Sequence, residues 1–195
     1  MRRWKRVDTA DGVRFRSAVE AHEAALLHNM ATSVIEMLDD RQSSSPRDEL
    51  EEITGMRTGH SRPPDDATMG RLLPDFIRPQ RPHPAGSGTA ESINGALRSM
   101  HEPAIIDAKR EAAQRLLSTC PAGGGNIELT EGDANAWLAA VNDIRLALGT
   151  MLEIGTGAPD RLPPQHPMAG HLDVYQWLTV LQEYLVLALM GKPAR

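Results

Sequence analysis

Six cations crowd the start of this 195-residue chain, Arg2, Arg3, Lys5, Arg6, Arg14 and Arg16, against only Asp8 and Asp11. Their local charge of +4 leaves −9 on the remainder of a chain whose net charge is −5. Guanidinium and ammonium groups set densely on a short arm suit phosphate contact, so these six form the candidate nucleic-acid-binding set. The same pattern also describes a solvated basic hairpin. A second candidate is Cys120, the single cysteine. It follows Ser118-Thr119 at a helix C-terminus, where the negative end of the helix dipole opposes a thiolate, so an inert thiol stands beside the redox reading. With one cysteine no internal disulfide forms, and any redox exchange must pass between molecules. The third candidate is a polar set within two very apolar helices, Asn142, Arg145, Gln182 and Glu183. Buried polar groups must pair, so a core network with an Arg145 to Glu183 salt bridge is expected. It serves either to fix helix register or as a buried switch or pocket.

Catalytic and metal chemistry find no such footing. Seven histidines invite a search for metal ligands, but His22 and His28 are six apart, on different helical faces, and the usual histidine and cysteine ligand spacings do not occur. A phosphate-binding Gly-x-x-x-x-Gly-Lys loop is absent, and Gly123-Gly-Gly125 follows a helix instead of opening one. Gly86-Ser-Gly88 lies in a Pro-rich stretch unable to hold a nucleophile rigidly. The expectation is a protein with no catalytic residues, no metal and no cofactor.

The elements that position these residues follow from periodicity. Trp4-Lys-Arg-Val7 and Val13-Arg-Phe-Arg16 flank Asp8 to Gly12, which predicts a hairpin. Ser17, with Glu20 three residues on, reads as a capping box for a helix reaching about Asp40, and Arg47 to Ile53 reads as a short acidic helix. From Thr58 to Thr89 Pro, Gly, Arg and Asp dominate, around an apolar island from Leu72 to Ile77 that should anchor on the core. Residues 78–90 read as a poorly ordered Pro/Gly-rich loop. A helix is expected from Glu91 to Met100 and a new one from Pro103 through Leu117. Asn126 to Thr130 alternates as a strand able to pair with the hairpin. Two helices, each with one tryptophan (Trp137 and Trp177) near its start, complete the chain, and the second is apolar on nearly every face, as if buried on most sides.

These elements make a mainly α single domain over residues 1–195: a helical bundle with a small antiparallel β element formed by the N-terminal hairpin and the strand near 126–130. Hydrophobic residues are 41% but aromatics only 4%, so Leu, Ala, Val and Met fill the interior. No apolar run reaches the ~18 residues of a membrane span, and the basic start precedes no signal-type segment, so a cytoplasmic protein without membrane contact is expected. The very apolar last helix also predicts a homodimer.

The string from Trp137 to Thr150, with Tyr175-Gln-Trp-Leu-Thr-Val-Leu-Gln182-Glu, resembles an actinobacterial family catalogued as a domain of unknown function. Trp4-Lys-Arg, Arg14-Phe-Arg16, His101-Glu-Pro103 and Asp107-Ala-Lys-Arg110 are similar to its mycobacterial members, so the resemblance covers most of the chain apart from the Pro-rich loop. It implies a transcriptional regulator of oxidative stress and redox homeostasis, acting by binding DNA, a sigma factor or another protein. Since the neighbouring gene in that family often encodes the adaptor of the Clp protease, an interaction adaptor without DNA contact is the alternative.

Overall fold

The hairpin expected around Asp11-Gly12 is present. In the computed structural model, β1 (Lys5–Thr9) turns through Ala10-Asp11 into β2 (Gly12–Val19), with Thr9 opposite Gly12. The structure describes residues 2–45, 55, 57–77, 87–155, 162–163 and 165–192. β3 (Gly125–Leu129) joins the other edge of β2, giving an antiparallel sheet of order β1-β2-β3. The helices are α1 (Ala21–Ser43), α2 (Ala67–Leu72), α3 (Ser87–Thr119), α4 (Glu131–Met151) and α5 (Ala169–Leu189). The fold is therefore mainly α with a small antiparallel sheet. The expected acidic helix at 47–53 lies outside the described residues, as does 78–86 of the expected loop. The helix expected from Glu91 already begins at Ser87.

Two compact units divide the chain: Met1–Ile35 with Lys109–Arg195, and Glu36–Ala108. In the first, alternation along the strands puts Phe15, Val19, Ile127 and Leu129 on one buried face of the sheet, against α4. α4 buries Ala134, Trp137, Val141, Ile144 and Leu148, spaced three and four apart, and α5 answers with Leu178, Leu181, Leu185 and Ala188 at the same spacing. The two pack as a coiled-coil-like hairpin. α5 thus buries one seam, not most of its sides: Val180 and Val186 stay exposed because the seam closes on a single partner helix. Trp4 stands edge-on to Trp137, with ring centroids 5.6 Å apart, and Trp137 donates its indole N–H to Thr119 at 2.7 Å. The start of the basic arm is thereby tied to the core.

Local chemistry sets the element ends. Ser17 does not cap α1. It lies in β2, whose pairing with β3 extends to Val19, and the Glu23 carboxylate instead accepts the N–H of Glu20 at 2.9 Å just before the helix. At α4 the hydroxyl of Thr130 accepts from the Asp133 N–H (3.1 Å) and the Asp133 carboxylate from the Thr130 N–H (3.0 Å), a capping box. Gly124 does more than stop α3. A Cβ there would stand 2.6 Å from the Ala21 nitrogen, so the β2–α1 junction packs directly on its backbone.

In the second unit, Pro103 does not divide the helix. α3 runs unbroken for 33 residues with Pro103 inside it. Proline lacks the N–H that would serve the Ser99 carbonyl, and the Gly59 N–H donates to that carbonyl instead, at 2.8 Å. Only glycine fits: a Cβ at position 59 would lie 2.9 Å from Pro103 Cδ and 3.3 Å from Glu102 Cβ. The island at 72–77 does anchor, burying Leu72 and Leu73. Beyond them the chain is held from α3: Arg98 donates to the Leu73 carbonyl at 3.0 Å, and the Asn94 amide pairs with both backbone groups of Ile77 at 2.9 Å.

Candidate functional site

The six basic residues of the arm do not converge. Residues directly opposite across antiparallel strands share a face, so Lys5 and Arg16, with Arg14 two residues along β2, lie on the outer side of the sheet. Glu128 of β3 is paired with Arg16 on that same side. Its carboxylate meets Arg16 Nε at 2.5 Å and Arg14 Nε at 4.0 Å, placing an anion between two of the expected phosphate contacts. Arg6 is on the opposite face of β1, its guanidinium beside Gly191. The Arg3 guanidinium lies over the Tyr184 ring, 5.4 Å from its centroid. Arg2 is exposed, and its backbone bonds to Ala18 and Ser17. Exposed ion pairs of this kind contribute little stability, about 0–1 kcal/mol each, but they do lower the positive potential of the face.

Cys120 is buried, 3% exposed, and burial pushes its thiol up to about 11. At neutral pH about one molecule in ten thousand then carries the thiolate, the form that reacts with peroxides and disulfides. Its carbonyl, not its sulfur, is engaged, lying 2.8 Å from the His28 Nε2.

The network on the two tryptophan helices forms around Arg145 with different partners from those expected. Arg145 donates to Gln182 Oε1 at 2.5 Å, Thr179 Oγ1 at 3.1 Å and the Tyr175 hydroxyl at 3.3 Å, and lies over the Tyr175 ring. Glu183 is not its counterion. One residue past Gln182, it is turned about 100° around the helix and is exposed. Asn142 is exposed for the same reason, and its neighbour Asp143 is the buried polar residue, bonded to Lys109 Nζ at 2.6 Å. Burial raises the Asp143 pKa, while the Lys109 ammonium opposes that rise.

The most buried ionic cluster was not among the expected sites. Arg98 and Glu102, one helical turn apart on α3, are each 2% exposed. Glu102 accepts from Arg98 at 2.9 Å and from Arg41 Nε at 2.8 Å, while Arg98 also reaches Asp75 at 2.8 Å and Arg41 the Arg62 carbonyl at 2.7 Å. Two cations thus meet two carboxylates, each guanidinium also donating to a backbone carbonyl, and the cluster ties the end of α1, the 57–62 segment, the 73–77 segment and α3 together. His60, 2.9 Å from the Arg41 carbonyl, closes the same corner. A cavity of about 190 Å³ lies there, lined by Arg41, Arg57, His60, Glu102 and Pro103 among others. A second, of about 140 Å³, is bounded by Leu73, Pro74, Asp75, Phe76, Arg98, Glu102 and Ile105. The signal in the sequence was the i, i+4 spacing of Arg98 and Glu102, hidden by the helix break that Pro103 implied. Among the described residues no group of three or more His, Cys, Asp or Glu is placed to hold a metal, and no helix is long and apolar enough to cross a membrane.

Residues 1–189 match the family described as domain of unknown function DUF2017. A Mycobacterium bovis protein named "Oxidative stress regulator AosR" is 66% identical over 194 residues, covering 98% of this chain and 89% of its own length. The protein of that name from Mycobacterium tuberculosis H37Rv matches equally. A Mycobacterium leprae protein is 58% identical over the same span. No solved structure matches the chain.

Proposed function

The chain belongs to the DUF2017 family, and we propose that it is a cytoplasmic, non-enzymatic regulator of the oxidative-stress response in actinobacteria, acting by binding a protein of the transcription apparatus such as a sigma factor. Relatives 66% identical over nearly the whole chain are named oxidative stress regulators, which supports the regulatory role. The observation that favours a protein partner over DNA is Glu128, seated between Arg14 and Arg16 on the only sheet face where three of the basic residues gather. An anion there repels a phosphate backbone. The buried Cys120 also makes a poor peroxide sensor, so in this reading the oxidant signal enters through the partner.

Direct DNA contact is the second reading, favoured by the exposed positions of Arg2, Lys5 and Arg6. In either case the regulator works as a homodimer. The test is a pair of titrations, of purified protein against a sigma factor and against promoter DNA at two salt concentrations. Each is repeated with Arg2, Arg3, Lys5, Arg6, Arg14 and Arg16 changed to Ala. Sigma-factor binding that survives the changes, with weak DNA binding throughout, is expected. DNA binding that is tight, salt-dependent and lost in the variant would instead establish the second reading. Binding to neither, with co-purification of a protease component, would point to an adaptor.

A further inference from the structure

Residues 36–108 expose large apolar side chains on a rigidly held backbone. Phe76 and Ile77 are 40% and 39% exposed, although the Arg98 and Asn94 side chains fix the segment that carries them. On α3, Ile93 is 43% and Met100 69% exposed. With Ala96, Leu97 and Ala104 they form a stripe at three- and four-residue spacing that contains no charge. The two features adjoin. The Phe76 ring packs on His101, next to Met100, and Ile77 is held by Asn94, next to Ile93. The mainly apolar cavity of about 140 Å³ opens beside Phe76, and its exposed charge is the half-exposed Asp75 carboxylate.

Leaving such side chains in water forgoes the free energy that burying them would release, and a contiguous patch of them marks a binding surface. Charge indicates what covers it. The unit Glu36–Ala108 holds 13 acidic and 8 basic residues, so the entire net charge of −5 resides in it. The stripe from Ile93 to Ala104 is about 16 Å long, and Ala96 and Ala104 allow another helix to approach closely.

We propose that this patch and cleft dock a helical segment of a partner protein, with apolar side chains three and four residues apart entering the cleft and a flanking lysine or arginine reaching Asp75. The proposal rests on the protein-partner reading above and names the chemistry of that partner's contact. The cleft and the Asp75 carboxylate select, respectively, an apolar anchor and a basic flank.

The test is fluorescence anisotropy of the full chain with a labelled Ala-based helical peptide, its leucines three and four apart on one face and lysines beside them. Scrambling the leucines, or replacing the lysines by glutamates, is expected to weaken binding at least about tenfold. Phe76→Ser with Ile77→Ser should do the same, as should Met100→Lys; all three side chains are exposed, so unfolding temperatures should hold. Asp75→Asn, which keeps an acceptor for Arg98, should erase the preference for lysine over glutamate. Equal binding of the scrambled peptide, or unchanged binding by the Phe76/Ile77 variant, would overturn the proposal. So would self-association of the wild-type chain in sedimentation that Met100→Lys abolishes, since a second copy would then cover the patch. If peptide binding follows this pattern while stress-gene control in cells ignores Met100→Lys, the cleft stands and the regulatory reading falls. If the peptide does not bind but regulation through a protein partner persists, the reading stands and the cleft falls.

Discussion

Gly59→Ala tests how a proline survives inside a 33-residue helix. The new methyl would sit 2.9 Å from Pro103 Cδ, 3.2 Å from Cγ and 3.3 Å from Glu102 Cβ, against an ordinary contact of about 3.5–4.0 Å. The 57–60 segment must retreat. The Gly59 N–H then leaves the Ser99 carbonyl, which Pro103 cannot serve. Losing the Gly59 donor to this part-buried acceptor costs about 1–3 kcal/mol and overpacking about 1–3 kcal/mol, and the two overlap, so a destabilisation of about 2–4 kcal/mol is expected. For a chain of this size that lowers the unfolding temperature by roughly 5–15 °C. Pro103→Ala supplies both the missing N–H and the missing room. Alone it should alter stability by no more than about 1 kcal/mol, because Ser99 already has a donor and the lost ring packing offsets the gain in helix propensity. In the Pro103→Ala background, Gly59→Ala should cost about 2 kcal/mol less than in the wild type. Urea unfolding followed by circular dichroism at 222 nm measures all four corners of the cycle. Additive effects, within about 0.5 kcal/mol, would refute the reasoning, because they would mean that Gly59 and Pro103 act separately.

Three further outcomes are expected. Arg98→Met strips Glu102 and Asp75 of a partner and leaves a buried carboxylate under-paired; urea unfolding should show a loss of about 3–5 kcal/mol, and a loss below about 1 kcal/mol would mean that water reaches the cluster. Native Cys120 should react with Ellman's reagent far more slowly at pH 7–8 than the same thiol in denaturant. Because burial pushes its pKa in the folded state up to about 11, above the ordinary thiol value of 9.0, its contribution to stability is full below pH 9 and lost as the pH rises toward 11. A fall in unfolding temperature over that window, smaller in Cys120→Ala, is the measurement, and identical pH profiles would remove the assignment. We also propose that the chain folds as one domain, since α1 and α3 each supply residues to both compact units; calorimetry should give a single transition, and two resolved transitions would contradict this.

Where signals are local, the sequence alone was enough. Asp11-Gly12 between alternating residues located the hairpin, alternation at 126–130 located its third strand, and two apolar runs with a tryptophan near each start located α4 and α5. Each depends on backbone geometry repeating over a few residues, so it can be read without knowing what lies across the core. That Arg145 and Gln182 belong to a polar network followed from polar residues standing in apolar helices, but the partner expected for Arg145, Glu183, was not the one it has. Tertiary structure decided the rest. Glu128 lies 112 residues from Arg16, and only strand register reveals that it sits among the arm's cations. Pro103 breaks a helix by local rules, yet a glycine 44 residues earlier supplies the donor the helix lacks, and that unbroken helix carries Arg98 and Glu102 together toward Arg41 and Asp75. Composition likewise showed that Phe76, Ile77 and Met100 are apolar, but whether an apolar residue is core or surface depends on what the remainder of the chain places over it.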